Sequence, residues 1–223
     1  MIAVVPVRKG SERVLDKNIK TFAGSSLLEI KLNQLMRVDL FENVIVSSDC
    51  EKMLAVASGM GASTHKRDDL YCKAHTPMSE VYKYLGREFK DYQEIAYINV
   101  TNPLLQDKTL IRCVKGYTTH GNDVMSVNTV HDVKDFMWLN GKPVNYDPYN
   151  QPRSQDLPDY YALNFACNII KTSVMRKHGI IVGTPHMAIV IDKVQALDID
   201  DVCLLYTSPS PRDVEESRMP SSA

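Results

Sequence analysis

The sequence predicts an α/β domain, a mostly parallel sheet flanked by helices. Short runs rich in β-branched residues alternate with amphipathic helical patterns along most of the 223 residues, which is typical of β-α-β units. With 44% hydrophobic and 24% charged residues, the composition is that of a globular domain that can bury one core. A folded domain is therefore favoured over a disordered chain.

The first part of the chain predicts three strands joined by two helices. The strands are expected at 2–7, 43–48 and 62–64, where short apolar or β-branched runs occur. Between them, the spacing of apolar residues predicts helices over 25–38 and 51–58, the second closed by Gly59 and Gly61. Each helix thus links two strands of a parallel sheet.

The central and later parts continue the alternation. Thr76 is predicted to cap a helix that has Pro77 at its first position and ends near residue 89, and Asp107 is predicted to cap a helix that ends near residue 117. A short helix is expected to end at Gly179. Further strands are predicted at 94–100, 123–130, 162–170 and 186–191.

Two segments depart from this pattern. In 133–159, Asn140-Gly141 between two β-like runs predicts a hairpin, and we expect this segment to leave the core as an arm that mediates a homodimer. Residues 203–223 are rich in Ser and Pro and resemble the translation of transposase-adapter DNA used in sequencing libraries. We therefore expect one domain over 1–202, followed by a non-native tail that replaces the natural C-terminus.

Charge and hydropathy argue against several classes of protein. Twenty-six Lys and Arg against 27 Asp and Glu provide no global field for nucleic acid or an anionic membrane. The apolar runs are shorter than the roughly 20 residues that span a bilayer, and no signal-peptide pattern precedes the first strand. Five cysteines without a Cys-x-x-Cys pair predict neither a disulfide framework nor a zinc site, but buried thiols. We expect a soluble cytoplasmic protein.

The segment after the first strand carries the chemistry of an anion site. Gly10 and Ser11 allow backbone N–H groups to converge on an anion, while Arg8, Arg13 and Lys17 supply positive charge. Because open α/β sheets bind ligands at the carboxyl ends of their strands, this loop suits a nucleoside triphosphate. The P-loop order Gly-x-x-x-x-Gly-Lys-Ser/Thr is absent, and a solvated basic loop explains these residues about equally well.

The same segment, residues 5–20, resembles the N-terminal signature of the acylneuraminate cytidylyltransferase family, roughly I-P-A-R-x-G-S-K/R followed later by K-N. Val7 stands where alanine is usual, and Arg13 shifts the usual basic residue by one position. The matching positions are Pro6, Arg8, Gly10, Ser11, Lys17 and Asn18. The resemblance assigns the last five of these to nucleotide binding.

Two further segments resemble nucleotide-binding parts of this family. Residues 65–68 resemble its Arg-Pro segment and place Arg67 at the nucleotide, although a solvated charge cluster explains them as well. Residues 99–104 resemble the Gln-x-Thr-Ser-Pro-Leu segment at the end of the central strand, which implies that Asn99 and Thr101 contact the nucleotide. Asn99 in place of glutamine keeps the amide but shortens its reach.

A fourth segment, 153–158 with Asn164, resembles the part of the family that contacts the sugar and helps to form the dimer. It implies that Gln155 and Asn164 bind the substrate, and Arg153 and Lys134 are candidate partners of the sugar carboxylate. Phe165 stands where the family has glycine, so the identity of the sugar stays open.

The fifth segment, Asp198-Ile199-Asp200, resembles the family's metal-binding pair. Strand alternation places both carboxylates on one face, about 6 to 7 Å apart, where they could share a divalent cation. Taken alone, this pattern is more often a solvated edge.

These five segments in order imply a Rossmann-like nucleotidyltransferase fold, a homodimer, Mg²⁺, and transfer of CMP from CTP to the anomeric hydroxyl of a nonulosonic acid with release of pyrophosphate. Arg8, Lys17 and Asp200 are the implied catalytic residues. Two alternatives stay open: the acceptor is legionaminate, pseudaminate or Kdo, or the chain binds nucleotide without turnover because a helix that supports the metal segment is missing.

Overall fold

The structure is a computed structural model that describes residues 1–10 and 16–200. Ser11 and the predicted tail at 203–223 lie outside the described residues. Within them, five α-helices are formed: α1 Leu27–Val38, α2 Glu51–Gly59, α3 Met78–Glu88, α4 Asp107–His120 and α5 Thr172–His178. The strands are β1 Ile2–Pro6, β2 Thr21–Phe22, β3 Ser25–Ser26, β4 Asn43–Ser48, β5 Ser63–Lys66, β6 Glu94–Ile98, β7 Ser126–Val133, β8 Trp138–Leu139, β9 Lys142–Pro143, β10 Tyr160–Lys171 and β11 His186–Ile191.

Seven strands form one sheet in the order β11-β7-β10-β6-β1-β4-β5. Strand β10 runs antiparallel to both of its neighbours, and every other pairing in this sheet is parallel. The prediction of a mostly parallel sheet flanked by helices is therefore confirmed.

The central strand β1 shows how the sequence builds three layers. Ile2, Ala3, Val4 and Val5 are all fully buried, because β1 lies between β4 and β6 with helices on both faces. Ala3 and Val5 pack in the larger core with α1, α2 and α4, whereas Ile2 and Val4 pack in the smaller core with α3 and α5. Alternation along a strand thus divides one apolar run between two cores.

Two predicted helix caps are wrong. Helix α3 begins at Met78, with Pro77 still extended, and the Thr76 hydroxyl donates to the Leu70 carbonyl oxygen at 2.6 Å instead of capping the helix. Asp107 is the first residue of α4, and its carboxylate accepts two hydrogen bonds of 2.8 Å from the Arg37 guanidinium of α1. In both cases a partner outside the helix takes the polar group, six residues away for Thr76 and 70 residues away for Asp107.

The predicted hairpin is present between β8 and β9, outside the main sheet. Asn140 and Gly141 both have positive φ angles, 50° and 75°, as a tight hairpin turn requires. The arm leaves the sheet after β7 and returns at β10, and Tyr160 of β10 pairs with Val133 of β7. The role of this arm in a dimer stays a prediction.

The cysteines and the helices bear on two further expectations from the composition. Four cysteines, Cys50, Cys72, Cys113 and Cys167, are buried free thiols as predicted, and Cys203 lies outside the described residues. None of the helices in 1–10 and 16–200 has the length and apolar character needed to cross a bilayer.

Candidate active site

A cavity of about 350 Å³ opens at the carboxyl ends of the adjacent parallel strands β1 and β6. This is the edge at which parallel α/β sheets bind ligands. The cavity brings together six of the predicted nucleotide-binding residues, namely Arg8, Lys17, Asn18, Arg67, Asn99 and Thr101. Gly10 lies in the same loop but does not line the cavity, and Ser11 is outside the described residues.

Arg8 lies two residues after the end of β1 and is half-buried at the cavity wall. Its Nη1 donates to the Cys72 carbonyl oxygen at 3.0 Å, which ties the loop after β1 to the segment after β5. The next residues turn away: the backbone N–H of Lys9 donates to Asp49 at 2.8 Å, and Gly10 has a φ of 74°. Glycine adopts that left-handed conformation without the cost that a side chain would add.

Lys17 and Asn18 lie in a short 3₁₀ turn and are both buried, with 9% and 6% of their surface exposed. The Lys17 ammonium donates to the Ile199 carbonyl oxygen at 2.7 Å. Lys17 therefore lines the cavity and also contacts the segment that carries Asp198 and Asp200.

Arg67 is buried at the end of β5, with only 4% of its surface exposed. Its Nε donates to the Ser47 hydroxyl at 3.1 Å, and its Nη2 donates to the carbonyl oxygens of Val7 and Ser47. These contacts hold the guanidinium against the ends of β1 and β4. Because the side chain also lines the cavity, a buried positive charge faces the ligand space.

The turn after β6 supports the predicted metal segment. The Thr101 carbonyl oxygen accepts from the Ile199 N–H at 2.8 Å. Asn102 is fully buried, and its side-chain amide donates to the carbonyl oxygens of Ala196 and Leu197 at 3.3 and 3.1 Å. The chain from 196 to 199 is thereby fixed to the cavity wall.

Within this segment, burial alternates from residue to residue. Ile199 is fully buried, Asp198 is exposed and Asp200 is half-buried. Both carboxylates are therefore more exposed than the isoleucine between them. In 1–10 and 16–200, no group of three or more His, Cys, Asp or Glu side chains is placed to hold a metal ion, so among these residues the two carboxylates are not part of a larger cluster.

The four predicted substrate residues do not line the cavity. The Lys134 ammonium donates to Asp159 at 2.6 Å, which raises the pKa of Lys134, and it also donates to the Leu157 carbonyl oxygen. Arg153 forms a bidentate pair with Asp156 on the surface of the arm, and Gln155 beside it is exposed.

The fourth of these residues, Asn164, lies in β10. Its side-chain oxygen accepts from the Thr129 hydroxyl at 2.6 Å and from the Ala166 N–H at 3.2 Å. Its Nδ2 is buried and has no hydrogen-bond partner among the residues that the structure describes. Asn164 therefore shapes a bend of β10 rather than the wall of the cavity.

That bend explains why the family that this sequence resembles has glycine at position 165. The pairing of β10 with β7 shifts between Leu163 and Asn168, and Phe165 has a φ of 56°. A positive φ is uncommon for a bulky side chain and is ordinary for glycine. Phe165 holds the same backbone shape with 38% of its surface exposed.

The cavity residues that sequence reasoning missed include Tyr71, Lys73 and Tyr97. Tyr71 stacks on Tyr84 of α3 with ring centroids 4.0 Å apart, and the exposed Lys73 adds a cation to the wall. Tyr97 is buried in β6, and this burial raises its pKa, so the phenol is neutral at physiological pH. The available signal was proximity in sequence: Tyr71 and Lys73 follow the matched segment at 65–68, and Tyr97 precedes Asn99.

Comparison with other proteins identifies relatives of this chain. It is 30% identical over 162 residues to N-acylneuraminate cytidylyltransferase A of Danio rerio, covering 69% of this chain and 37% of that protein. It is 26% identical over 210 residues to N-acylneuraminate cytidylyltransferase of Escherichia coli, covering 90% of this chain and 49% of that protein. A pseudaminic acid cytidylyltransferase of Campylobacter jejuni is 25% identical, with 72% and 73% of the two chains covered.

The chain therefore spans half or less of the N-acylneuraminate cytidylyltransferases from E. coli and D. rerio. Among solved structures, CMP:2-keto-3-deoxy-manno-octonic acid synthetase complexed with CTP superposes with a TM-score of 0.65 at 11% identity, covering 97% of this chain and 96% of that one. This likeness shows a shared nucleotidyltransferase fold. Residues 2–152 match the sequence profile of the cytidylyltransferase family, and the chain belongs to that family.

Proposed function

We propose that this protein transfers CMP from CTP to the anomeric hydroxyl of an N-acylneuraminate-type nonulosonic acid and releases pyrophosphate. The observation that carries the proposal is the cavity at the ends of β1 and β6, where Arg8, Lys17 and Arg67 converge. Together with Lys73, these residues give the cavity four cations, which suits a triphosphate because its charge exceeds what one cation neutralises. The relatives named for this reaction support the same conclusion.

The mechanism follows from the movement of charge. Attack of the sugar hydroxyl on the α-phosphorus increases the negative charge on the phosphoryl oxygens and on the leaving pyrophosphate. Arg8 and Lys17 at the cavity wall would stabilise that charge electrostatically, without a covalent intermediate. Asn18, Asn99 and Thr101 supply neutral polar groups that orient the nucleotide.

Asp198 and Asp200 fit a bound Mg²⁺. Mg²⁺ is commonly held by one or two carboxylates together with substrate phosphates and water, and a larger protein cluster is not required. The segment carrying this pair is joined to Thr101 and Lys17, both of which line the cavity. When bound, Mg²⁺ would neutralise phosphate charge and favour deprotonation of the attacking hydroxyl.

We further propose that the protein acts as a homodimer. Trp138, Leu139 and Tyr149 of the arm are 56%, 65% and 98% exposed, a concentration of apolar surface that a second copy could cover. Because Arg153 and Lys134 do not line the cavity of their own chain, we propose that they reach the sugar carboxylate in the cavity of the other copy. As a consumer of CTP, the protein is expected in the cytoplasm.

A second acceptor, pseudaminate, is favoured by one observation. The pseudaminic acid cytidylyltransferase of C. jejuni is 25% identical over 170 residues, close to the 26% identity of the N-acylneuraminate enzyme of E. coli. Phe165 in place of the family's glycine is consistent with an altered acceptor. Legionaminate and Kdo are further candidates for the same site.

The deciding experiment measures pyrophosphate release with CTP, Mg²⁺ and each of N-acetylneuraminate, pseudaminate, legionaminate and Kdo. We expect release with one of the nonulosonic acids, and a loss of at least about 100-fold in Arg8→Ala. CTP binding by calorimetry without release with any acceptor would support a binding protein. Absence of both binding and release would overturn the proposal.

A further inference from the structure

His65 lies at the centre of a chain of polar contacts that ends at the cavity. Its Nε2 lies 3.2 Å from the Glu88 carboxylate of α3, and its Nδ1 lies 2.9 Å from the Ser47 hydroxyl of β4. That hydroxyl also accepts from Arg67 Nε at 3.1 Å. The contacts therefore run Glu88, His65, Ser47, Arg67, and the last of these lines the cavity.

When the His65 imidazole is neutral, the two ends of this chain determine the direction of every hydrogen bond. Arg67 Nε can only donate and the Glu88 carboxylate can only accept. The Ser47 hydroxyl therefore accepts from Arg67 and donates its own proton to His65 Nδ1. His65 then carries its proton on Nε2 and donates it to Glu88. Neutral imidazole of this tautomer satisfies all three contacts.

We propose that His65 is a positioning residue, which through Ser47 holds Arg67 in the orientation that binds the phosphates or base of a nucleotide. The inference rests on the function proposed above and extends it to a residue that does not line the cavity. Ser47 is fully buried, so water does not replace His65 as the acceptor of its proton.

Protonation of His65 reverses one contact. Imidazolium carries N–H groups on both nitrogens, so Nδ1 becomes a donor to Ser47 and the serine proton loses its acceptor. Imidazolium and the Arg67 guanidinium then place two positive charges beside one hydroxyl. The result is weaker support for Arg67 at low pH.

The groups around His65 include both signs of charge. Helix α3 contributes the Glu88 carboxylate and Tyr84, whose ring lies 5.9 Å away and whose pKa is raised by burial, so that it stays neutral. The residues after β5 contribute the Arg67 guanidinium and Asp68, whose N–H donates to the Tyr84 hydroxyl. Phe89 packs edge-on at 5.0 Å and excludes water.

The test compares the wild type with His65→Asn and His65→Ala. Asparagine places an amide oxygen near the position of Nδ1, accepts the Ser47 proton and does not titrate, whereas alanine removes the acceptor. The dissociation constant for CTP is measured by calorimetry from pH 8.5 to 5.5. Because the phosphates of CTP titrate near pH 6 as well, the compared quantity is the ratio of each variant's constant to that of the wild type at each pH.

We expect His65→Ala to bind CTP about fivefold more weakly than the wild type at pH 8, the cost of about one hydrogen bond, while His65→Asn binds about equally. Toward pH 5.5, the wild type should lose about fivefold relative to His65→Asn. His178→Asn, at an exposed histidine on α5, is the matched control and should follow the wild type throughout. If the dissociation constants of the wild type and His65→Asn for CTP depended on pH in the same way, the proposal would be overturned.

A second measurement does not depend on CTP. The ¹⁵Nε signal of Arg67 in the ligand-free protein, assigned with Arg67→Lys, should shift between pH 8.5 and 5.5 in the wild type and stay constant in His65→Asn. A pH-dependent shift of this signal in a protein that does not bind CTP would support the role of His65 in positioning Arg67 and would contradict the proposed nucleotide. If the Arg67 signal had the same pH dependence in both proteins, His65 would not position Arg67, whatever ligand the cavity binds.

Discussion

The ammonium of Lys17 donates a 2.7 Å hydrogen bond to the carbonyl oxygen of Ile199, the residue between Asp198 and Asp200. Lys17 belongs to the loop after β1, and Ile199 belongs to the segment after β11. The bond therefore joins these two segments at the cavity. A lysine that is only 9% exposed needs such an acceptor to offset its desolvation. The proposed triphosphate and metal sites therefore share one side chain.

Lys17→Met should consequently weaken two functions together. We expect kcat to fall by about 100-fold or more, since a cation beside the phosphates is lost, and the Mg²⁺ concentration for half-maximal rate to rise, since the segment of Asp198 and Asp200 loses an anchor. The measurement is pyrophosphate release across a Mg²⁺ titration. Lys52→Met, at an exposed position of α2, serves as control. A raised KM for CTP with unchanged Mg²⁺ dependence would show that Lys17 acts on the nucleotide alone.

Asp198→Asn and Asp200→Asn should each abolish most Mg²⁺-dependent turnover without lowering the melting temperature. The amide keeps the shape of the side chain but loses the charge that binds a hard cation, and the main-chain bonds of Ile199 that fix the segment are unchanged. Asp91→Asn, on an exposed residue far from the segment in sequence, is the control. Wild-type Mg²⁺ dependence in both variants would place the metal elsewhere.

The sheet could be predicted because burial leaves a direct mark on the sequence. A strand covered on both faces, such as β1, reads as a continuous apolar run, and Ile2 through Val5 form one. The cavity was predictable for a related reason, since residues that lie shortly after the ends of β1 and β6 must meet when these strands are adjacent and parallel. Arg8, Asn99 and Thr101 all satisfy that condition.

Helix ends and buried polar contacts were not predictable, because their partners are far away in sequence. The Asp107 carboxylate pairs with Arg37, 70 residues earlier, instead of capping α4. Lys31 is fully buried beneath the turn at Asn102, although its position in a helical pattern gives no sign of it. Local sequence specifies the type of element, whereas such contacts depend on how the elements pack.

At position 165 we expect glycine to give a more stable protein than alanine, which is the reverse of the order at an ordinary strand position. Both Phe165→Gly and Phe165→Ala remove the ring, but only alanine keeps the cost of the left-handed conformation at φ 56°. We expect the glycine variant to be more stable than the alanine variant by about 1 kcal/mol in urea unfolding. At Leu163, an ordinary position of β10, alanine should be the more stable of the two. If alanine gave the more stable variant at both positions, the left-handed conformation at position 165 would cost little free energy.

The arm is expected to hold two copies of the chain together. We predict a dimer at micromolar concentration by light scattering, and a shift toward monomer in the double variant Trp138→Ser with Leu139→Ser, which removes exposed apolar surface without touching either core. The paired control is Leu70→Ser, at an exposed apolar residue near the cavity. A wild-type protein that is monomeric would contradict the proposed role of the arm.

Lys31 is fully buried in α1, and its ammonium donates to the Gln34 side-chain oxygen at 2.8 Å and to the Asn102 carbonyl oxygen at 3.0 Å. Burial lowers its pKa to about 7, although Cys167 and Asp107 act in the opposite direction. Its ordinary pKa in the unfolded chain is about 10.4. Between these two values the unfolded chain binds more protons than the folded one, so the free energy of unfolding rises with pH across this window.

Lys31→Met removes that titration and should be compared with the wild type only from pH 7 to 9. The pKa values of the Cys72 and Cys167 thiols, raised by burial and, for Cys167, mainly by its hydrogen bond with Cys113, give a contribution of opposite sign that grows toward high pH in both proteins. The difference in unfolding free energy between wild type and Lys31→Met should change by about 2 kcal/mol in favour of the wild type from pH 7 to 9. Lys115→Met, exposed on α4, should show a constant difference, and a constant difference for Lys31→Met as well would mean that Lys31 does not titrate in this window.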